Sequence, residues 1–234
     1  MTKGRWSDSK SAMARNASRS SVVPGAPVAL DDGDELRIGA ITAGLRALVT
    51  VRGGIALESA LGSLATDTLA DLGPEPLAAG DVVPLHGPAA APYAVEPVPE
   101  PLASPPAPGQ EVRLRIVLGP RSDWFTPAAL EALTAQAWLV TPRSDRVGVR
   151  LEGTPLERAR DGELPSEGAV TGAIQVPPDG QPVLFLPDHP LTGGYPIVGA
   201  VVDADLDLVG QLPPGARIRF VLADDHLIDL GASA

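Results

Sequence analysis

The sequence contains no cysteine. Disulfides, thiol nucleophiles and thiolate metal sites are therefore excluded. Aromatic residues make up 3% of the chain, so any core must be packed from Val, Leu, Ile and Ala. The histidines, His86, His189 and His226, lack the spacing of a zinc-protease helix. No apolar run approaches the ~20 residues of a membrane span, and the amino terminus has no apolar signal-peptide core. A cytoplasmic protein is expected. Neither a GxSxG elbow nor a GxxxxGK[ST] loop occurs, so serine-hydrolase chemistry and a P-loop ATP site are not expected on this chain. The net charge of −11 argues against a nucleic-acid or anionic-membrane partner, while leaving room for a local basic pocket.

What is present is glycine and proline, 25 and 26 in 234 residues, within a chain that is 44% hydrophobic. Short apolar runs punctuated by turn residues favour a mainly β protein with one or two short helices. Residues 1–27 open with a basic, serine-rich stretch; Lys3, Arg5, Lys10, Arg15 and Arg19 oppose Asp8 alone up to residue 21. A disordered leader is expected there. Residues 28–86 read as a small β subdomain built from DELRIGA, LRALVTV and DVVPL, with Gly53-Gly54 and Gly62-Ser63 as breaks. Residues 87–110 hold eight prolines and read as a semi-rigid extended linker.

Residues 111–234 form the second expected domain. In EVRLRIVL the apolar residues Val112, Leu114, Ile116 and Leu118 alternate with Arg113 and Arg115, as in a half-buried strand. Thr126-Pro127 is a helix N-cap followed by a first-turn proline, and the spacing predicts a helix over 127–136 with Leu130, Leu133 and Ala137 on one face. WLVTP, VGVRLEG, AVTGAIQV, PVLFLP and IVGAVVD follow as strands. ADLDLVGQL reads as a brief helix and ARIRFVLA as a last strand. One main helix against six or more short strands predicts a closed or nearly closed barrel.

The candidate site residues lie between Ser144 and Pro196. Arg146 and Arg150, four apart in an expected strand, would project from one face. They could clamp a carboxylate or phosphate, or pair with Asp145, Glu152 or Glu167. Glu167, in a Ser-Glu-Gly turn, could act as a general base, orient an arginine, or simply be solvated. Gln175 stands between Ile174 and Val176; as a buried amide it needs partners, either a bound amide or a neighbouring strand's backbone. Asp188 and His189 lead into Thr192-Gly193-Gly194-Tyr195-Pro196, a turn able to offer backbone N–H groups to an anion or to pack under its tyrosine.

These pieces, together with VLGPRSDWFT, SDRVGVRLEG, SEGAVTGAIQVPPDGQP, TGGYP and QLPPGARIRF in that order, resemble the carboxyltransferase-type family. That family includes the C component of 5-oxoprolinase, allophanate hydrolase subunit 2 and KipA. The resemblance implies cyclophilin-like β-barrel subdomains and a chain shortened at the N-terminus relative to the family. It implies a component of an ATP-dependent lactam hydrolase, active within a complex, that opens 5-oxoproline to L-glutamate. Its partners would be a KipI-like B component and a LamB/YcsF-like A component, with no covalently bound cofactor and ATP used by the complex. On this reading Arg146 and Arg150 hold anionic groups. Gln175 and Thr192, Gly193, Gly194 and Tyr195 bind the substrate, and Glu167 or Asp188 assists proton transfer. The alternatives are a biotin-dependent carboxyltransferase component using carboxybiotin from a separate carrier, or a non-catalytic KipA-like partner of a KipI-like protein.

Overall fold

The computed structural model describes residues 3–5, 25–68, 70–87, 105–107, 109–162 and 164–223. The chain divides into two compact units. Unit 1 takes in residues 1–39 and 48–102, and unit 2 takes in 40–47 and 103–234. Most of the expected leader and of the proline-rich linker lies outside the described residues.

In unit 1 a strand β1, Lys3–Arg5, pairs antiparallel with β2, Val82–Pro84. The expectation of disorder from residue 1 onward is thus corrected at residues 3–5. The strands expected over 28–81 are corrected as well. Among the described residues there, backbone pairing is confined to isolated bridges, such as Ile55 with Leu85, Ala60 with Ser63 and Asp67 with Leu72. The physical reason is turn density: Gly33, Gly53, Gly54, Gly62, Gly73 and Gly80 all take positive φ. That left-handed conformation interrupts an extended run every few residues.

Unit 2 is a closed barrel. Its strands are β3 (Glu111–Leu118), β4 (Trp138–Val140), β5 (Gly148–Glu152), β7 (Ala173–Gln175), β8 (Val183–Phe185), β10 (Ile197–Val201) and β11 (Arg217–Leu222). The order around the barrel is β10-β3-β11-β4-β5-β8-β7, with β7 closing back onto β10. Every pair is antiparallel except β3 with β11. Among the described residues the fold is therefore mainly β with two short α-helices, as the sequence implied. A separate two-stranded ribbon joins β6, Glu167–Gly168, to β9, Thr192–Gly193.

The barrel interior follows from alternation. Val112, Leu114 and Ile116 of β3 are buried, as are Ile218 and Phe220 of β11, while Glu111 and Arg113 face outward. Thr126 caps helix α1, Pro127–Ala135, by accepting from the Ala129 N–H at 3.1 Å. The helix ends two residues before Ala137, so the expected face is corrected to Ala129 and Leu133, with Leu130 partly buried. Trp138 fills the space between α1 and the barrel, and its Nε1 donates to the Leu133 carbonyl at 3.0 Å. Gly153 is required opposite the ring, because a Cβ there would lie 2.7 Å from Trp138 Cε3.

Two polar clamps tie the barrel's periphery. Asp205, buried ahead of helix α2 (Leu206–Val209), accepts from the Arg115 backbone N–H at 2.8 Å. It also takes both prongs of the Arg115 guanidinium, at 3.1 and 2.6 Å. Gln211 holds residues 45–46 through its side-chain amide. Its Oε1 accepts from the Leu45 and Arg46 N–H groups, both at 2.9 Å, and its Nε2 donates to the Arg46 carbonyl at 3.3 Å.

Candidate functional site

The β6–β9 ribbon gathers the residues of interest. Its register sets Glu167 opposite Gly193 and Gly168 opposite Thr192. Beneath it, at the end of β7, Gln175 is buried, and its Nε2 donates to the Tyr195 carbonyl at 3.1 Å. Gly193 is in close approach: a Cβ there would sit 2.4 Å from Gln175 Nε2. Glycine at this position is therefore a steric requirement of the amide's seat. Oε1 of Gln175 accepts no hydrogen bond among the described residues. An amide held by one end and open at the other is suited to accept from an N–H.

Glu167 carries a partner the sequence did not disclose. Arg121 Nε donates to both carboxylate oxygens at 3.0 and 2.9 Å, and its Nη2 donates to Oε1 as well. Arg121 lies in the turn between β3 and a short 3-10 helix, Ser122–Trp124. That turn packs onto β10 through Gly119, whose N–H donates to the Val198 carbonyl at 2.9 Å. A Cβ on Gly119 would meet the Ile197 carbonyl oxygen at 2.7 Å. The guanidinium's hydrogen bonds hold the Glu167 carboxyl below its ordinary value, outweighing the upward push of partial burial. Glu167 raises Arg121 in return. Glu167 is thus held as an anion that orients an arginine, one of the roles its sequence position left open.

The expected strand carrying both Arg146 and Arg150 is corrected. Strand β5 begins at Gly148, leaving Arg146 in the preceding turn. Asp145 shapes that turn by accepting from the Val147 and Gly148 N–H groups at 2.9 and 3.0 Å. Arg146 forms an ion pair with Asp188 at 3.2 Å, both about half exposed. Arg150 faces outward from β5. Asp188 is therefore engaged with Arg146, while His189 stacks on Phe185 with ring centroids 5.5 Å apart. Tyr195 is 45% exposed and supplies its backbone carbonyl, not a packed ring, to the interior. Gly194 lies next to the Leu164 carbonyl, which a Cβ would approach to 3.6 Å.

The structure thus brings Glu167, Gln175, Thr192, Gly193 and Tyr195 together. It sets Arg146 and Asp188 apart as a pair of their own and adds Arg121. Arg121 falls within GPRSDWFT, but its partner is 46 residues away, a separation that no local pattern encodes. Among the described residues no cluster of His, Asp and Glu could hold a metal ion, and no helix is long and apolar enough to cross a membrane.

Comparison with known proteins places this geometry. Residues 11–222 match the family model of the carboxyltransferase domain, subdomain A and B. The chain is 33% identical over 181 residues to the C component of 5-oxoprolinase from Escherichia coli (strain K12), covering 76% of this chain and 56% of that protein. It is 34% identical over 219 residues to the urea amidolyase of Lachancea kluyveri, covering 83% of this chain and 12% of that protein. Among solved structures, the Kluyveromyces lactis urea carboxylase superposes with a TM-score of 0.61 at 30% identity, over 74% of this chain and 17% of that one. The chain thus spans a little over half of the bacterial relative and a small part of the yeast ones. On the match of residues 11–222, the chain belongs to the carboxyltransferase-domain family, subdomains A and B.

Proposed function

We propose that this chain serves as the C component of an ATP-dependent 5-oxoprolinase, acting on a lactam within a complex. The observation that carries the reading is the 33% identity to a 5-oxoprolinase C component across 76% of this chain. The site's chemistry supports it. Opening 5-oxoproline adds water across the lactam C–N bond: a C–O bond forms, the C–N bond breaks, and the ring nitrogen takes a proton. A seated amide with an open acceptor, Gln175 Oε1, matches the lactam N–H. The Arg121–Glu167 pair fixes charge beside it, and an arginine edge so oriented can face an oxyanion. Hydrolysis of ATP supplies the driving force to such a complex. The sequence holds no GxxxxGK[ST] loop to cradle a triphosphate. ATP is accordingly assigned to the partner proteins, KipI-like and LamB/YcsF-like in the proposed assembly.

The test is ATP-dependent glutamate formation from 5-oxoproline by this chain co-expressed with those partners. Activity that vanishes when this chain is omitted is the expected result. Gly193→Ala, which drives a methyl group into Gln175 Nε2, is expected to lower kcat by ~100-fold with assembly unchanged, as for a displacement of about 1 Å at a reacting group. Full activity in Gly193→Ala would remove Gln175 from the site. A second reading, carboxyl transfer from carboxybiotin on a separate carrier, is favoured by the likeness to urea amidolyase. Carboxylation by the assembled complex without glutamate formation would select it.

A further inference from the structure

A recess of about 360 Å³ lies in unit 2 between the loop of residues 155–162 and the turn of residues 178–180. Its walls are preorganised. The Leu156 N–H donates to the Gly180 carbonyl at 2.9 Å, and Gly180 takes φ +73. A Cβ on Gly180 would lie 2.8 Å from Pro155 Cβ and 2.9 Å from the Leu156 nitrogen. Prolines 155 and 178 stiffen the two sides.

Arg158 lines this recess and is only partly exposed. Its backbone is pinned by a bridge to Phe125. Its Nη2 donates to the Val176 carbonyl at 2.8 Å, while its Nε is buried with no partner among the described residues. Arg115, Arg121, Arg160 and Arg219 each hold a carboxylate, but Arg158 holds none among the described residues. A guanidinium anchored by one prong to a backbone carbonyl, matched by no carboxylate among the described residues and lining a preorganised recess, can take a carboxylate on its remaining donors. The rim has the opposite sign. Asp161 is exposed and makes no hydrogen bond or ion pair among the described residues. Asp179 uses Oδ1 to accept from the Gln181 N–H at 3.0 Å. Arg160 adds no free charge, being paired with Asp123 at 2.7 Å.

From this arrangement we infer that the recess binds a small carboxylate bearing an N–H donor, with the carboxylate on Arg158 and the N–H toward Asp161 or Asp179. A volume near the lower end for ligand pockets suits a molecule the size of a cyclic amide acid or a free amino acid. The recess is a site apart from that at Gln175; Arg158 is tied by Nη2 to the carbonyl of Val176, one residue away. The choice of 5-oxoproline and glutamate as probes rests on the proposed function; the carboxylate assignment does not.

Isothermal titration of the full chain tests it with 5-oxoproline, L-glutamate, acetate and 2-pyrrolidinone, the last lacking a carboxylate. Saturable binding of at least one N–H-bearing carboxylate is expected, with 2-pyrrolidinone at least ten-fold weaker. Tighter binding of 5-oxoproline than glutamate would mark the cyclic form as the occupant, and the reverse order the open one. Arg158→Lys, which keeps the charge but loses the fork, is expected to weaken carboxylates about ten-fold or more. Asp161→Asn, at an exposed position, is expected to weaken the N–H-bearing ligands about three-fold and leave acetate unchanged. Equal binding of 2-pyrrolidinone, unchanged affinity in folded Arg158→Lys, or no saturable carboxylate binding would overturn the inference. Carboxylate binding by a chain whose complex opens no lactam would leave the recess standing and sink the proposed function; an active complex without such binding would do the reverse.

Discussion

The two compact units use similar apolar content to different effect. In unit 2, Leu114, Ile116, Leu133, Trp138, Ile174, Leu184 and Phe220 are all fully buried. In unit 1 none of the described side chains is buried, and Leu48 and Leu61 are 88% and 96% exposed. The difference lies in what surrounds the apolar residues. In unit 2 they alternate along strands that find partners on both sides, so one face of each strand is delivered to a shared interior. In unit 1 apolar words such as LVTV, residues 48–51, are not incorporated into a described sheet. Apolar composition is therefore no predictor of a core without the pairing that gathers it.

The largest effect that would break this comparison is truncation inside each unit. Trp138→Ala removes the largest fully buried side chain of the barrel and should cost about 3–5 kcal/mol. Leu48→Ala, at a residue 88% exposed, should stay within about 0.5 kcal/mol. Urea unfolding followed by far-UV circular dichroism reads both. Equal destabilisation would mean that unit 1 buries Leu48 in solution and that the contrast is wrong.

A smaller effect sharpens the account of unit 2, where ionic clamps supplement the core. Asp205→Asn should cost about 2 kcal/mol, less than a fully buried pair, since Arg115 remains partly in water. The cost should depend on pH with a definite sign. Burial pushes the Asp205 carboxyl up, but the side-chain, backbone and charge interactions of Arg115 prevail and leave it below its ordinary 3.8. The unfolded chain then takes up this proton first as the medium is acidified. The clamp's stabilisation is complete above about pH 4 and is lost as the pH falls through the depressed folded value. Wild type and Asp205→Asn should therefore converge in urea midpoint in acid, below the ordinary 3.8, and a gap that stays constant from neutral pH into strong acid would refute the clamp. Glu111 and Glu167, each lowered chiefly by an arginine hydrogen bond, push the wild type's acid sensitivity the same way.

Much of unit 2 was legible because its signals are local. The alternation of β3, the Thr126-Pro127 start of α1 and the strand words of β7, β8 and β10 each rest on neighbouring residues. The tie of Gln175 to a neighbouring segment's backbone follows from a polar side chain inside an apolar run. What was not legible depends on partners far along the chain. Arg121 meets Glu167 only after β3, β10 and the β6–β9 ribbon are in place. The same-face argument for Arg146 and Arg150 failed for a local reason that side-chain identity did contain. Asp145 competes for the Val147 and Gly148 N–H groups and delays the strand by two residues, as short polar side chains do. In unit 1 the turn residues were read correctly as breaks, but the segments between them were credited with pairing that the glycines interrupt.

The smallest effect tests the comparison through its sign. Leu61 and Gly62 form the two central residues of a tight hairpin turn, with φ values of 51° and 81°. The flanking Ala60 and Ser63 exchange both backbone hydrogen bonds at 2.9 Å. This is the geometry that favours Asn-Gly, because asparagine tolerates the left-handed conformation that a leucine resists. The leucine side chain contributes no burial to offset that strain. Leu61→Asn should therefore stabilise the turn by about 0.5–1 kcal/mol, slowing hydrogen exchange of the Ala60 and Ser63 amides by roughly two- to five-fold. In the core of unit 2, replacing a leucine such as Leu133 of helix α1 by asparagine would strand a polar group and destabilise it. Faster exchange in Leu61→Asn would show that the leucine is holding something down, and unit 1 would then have an apolar contact that its exposure conceals.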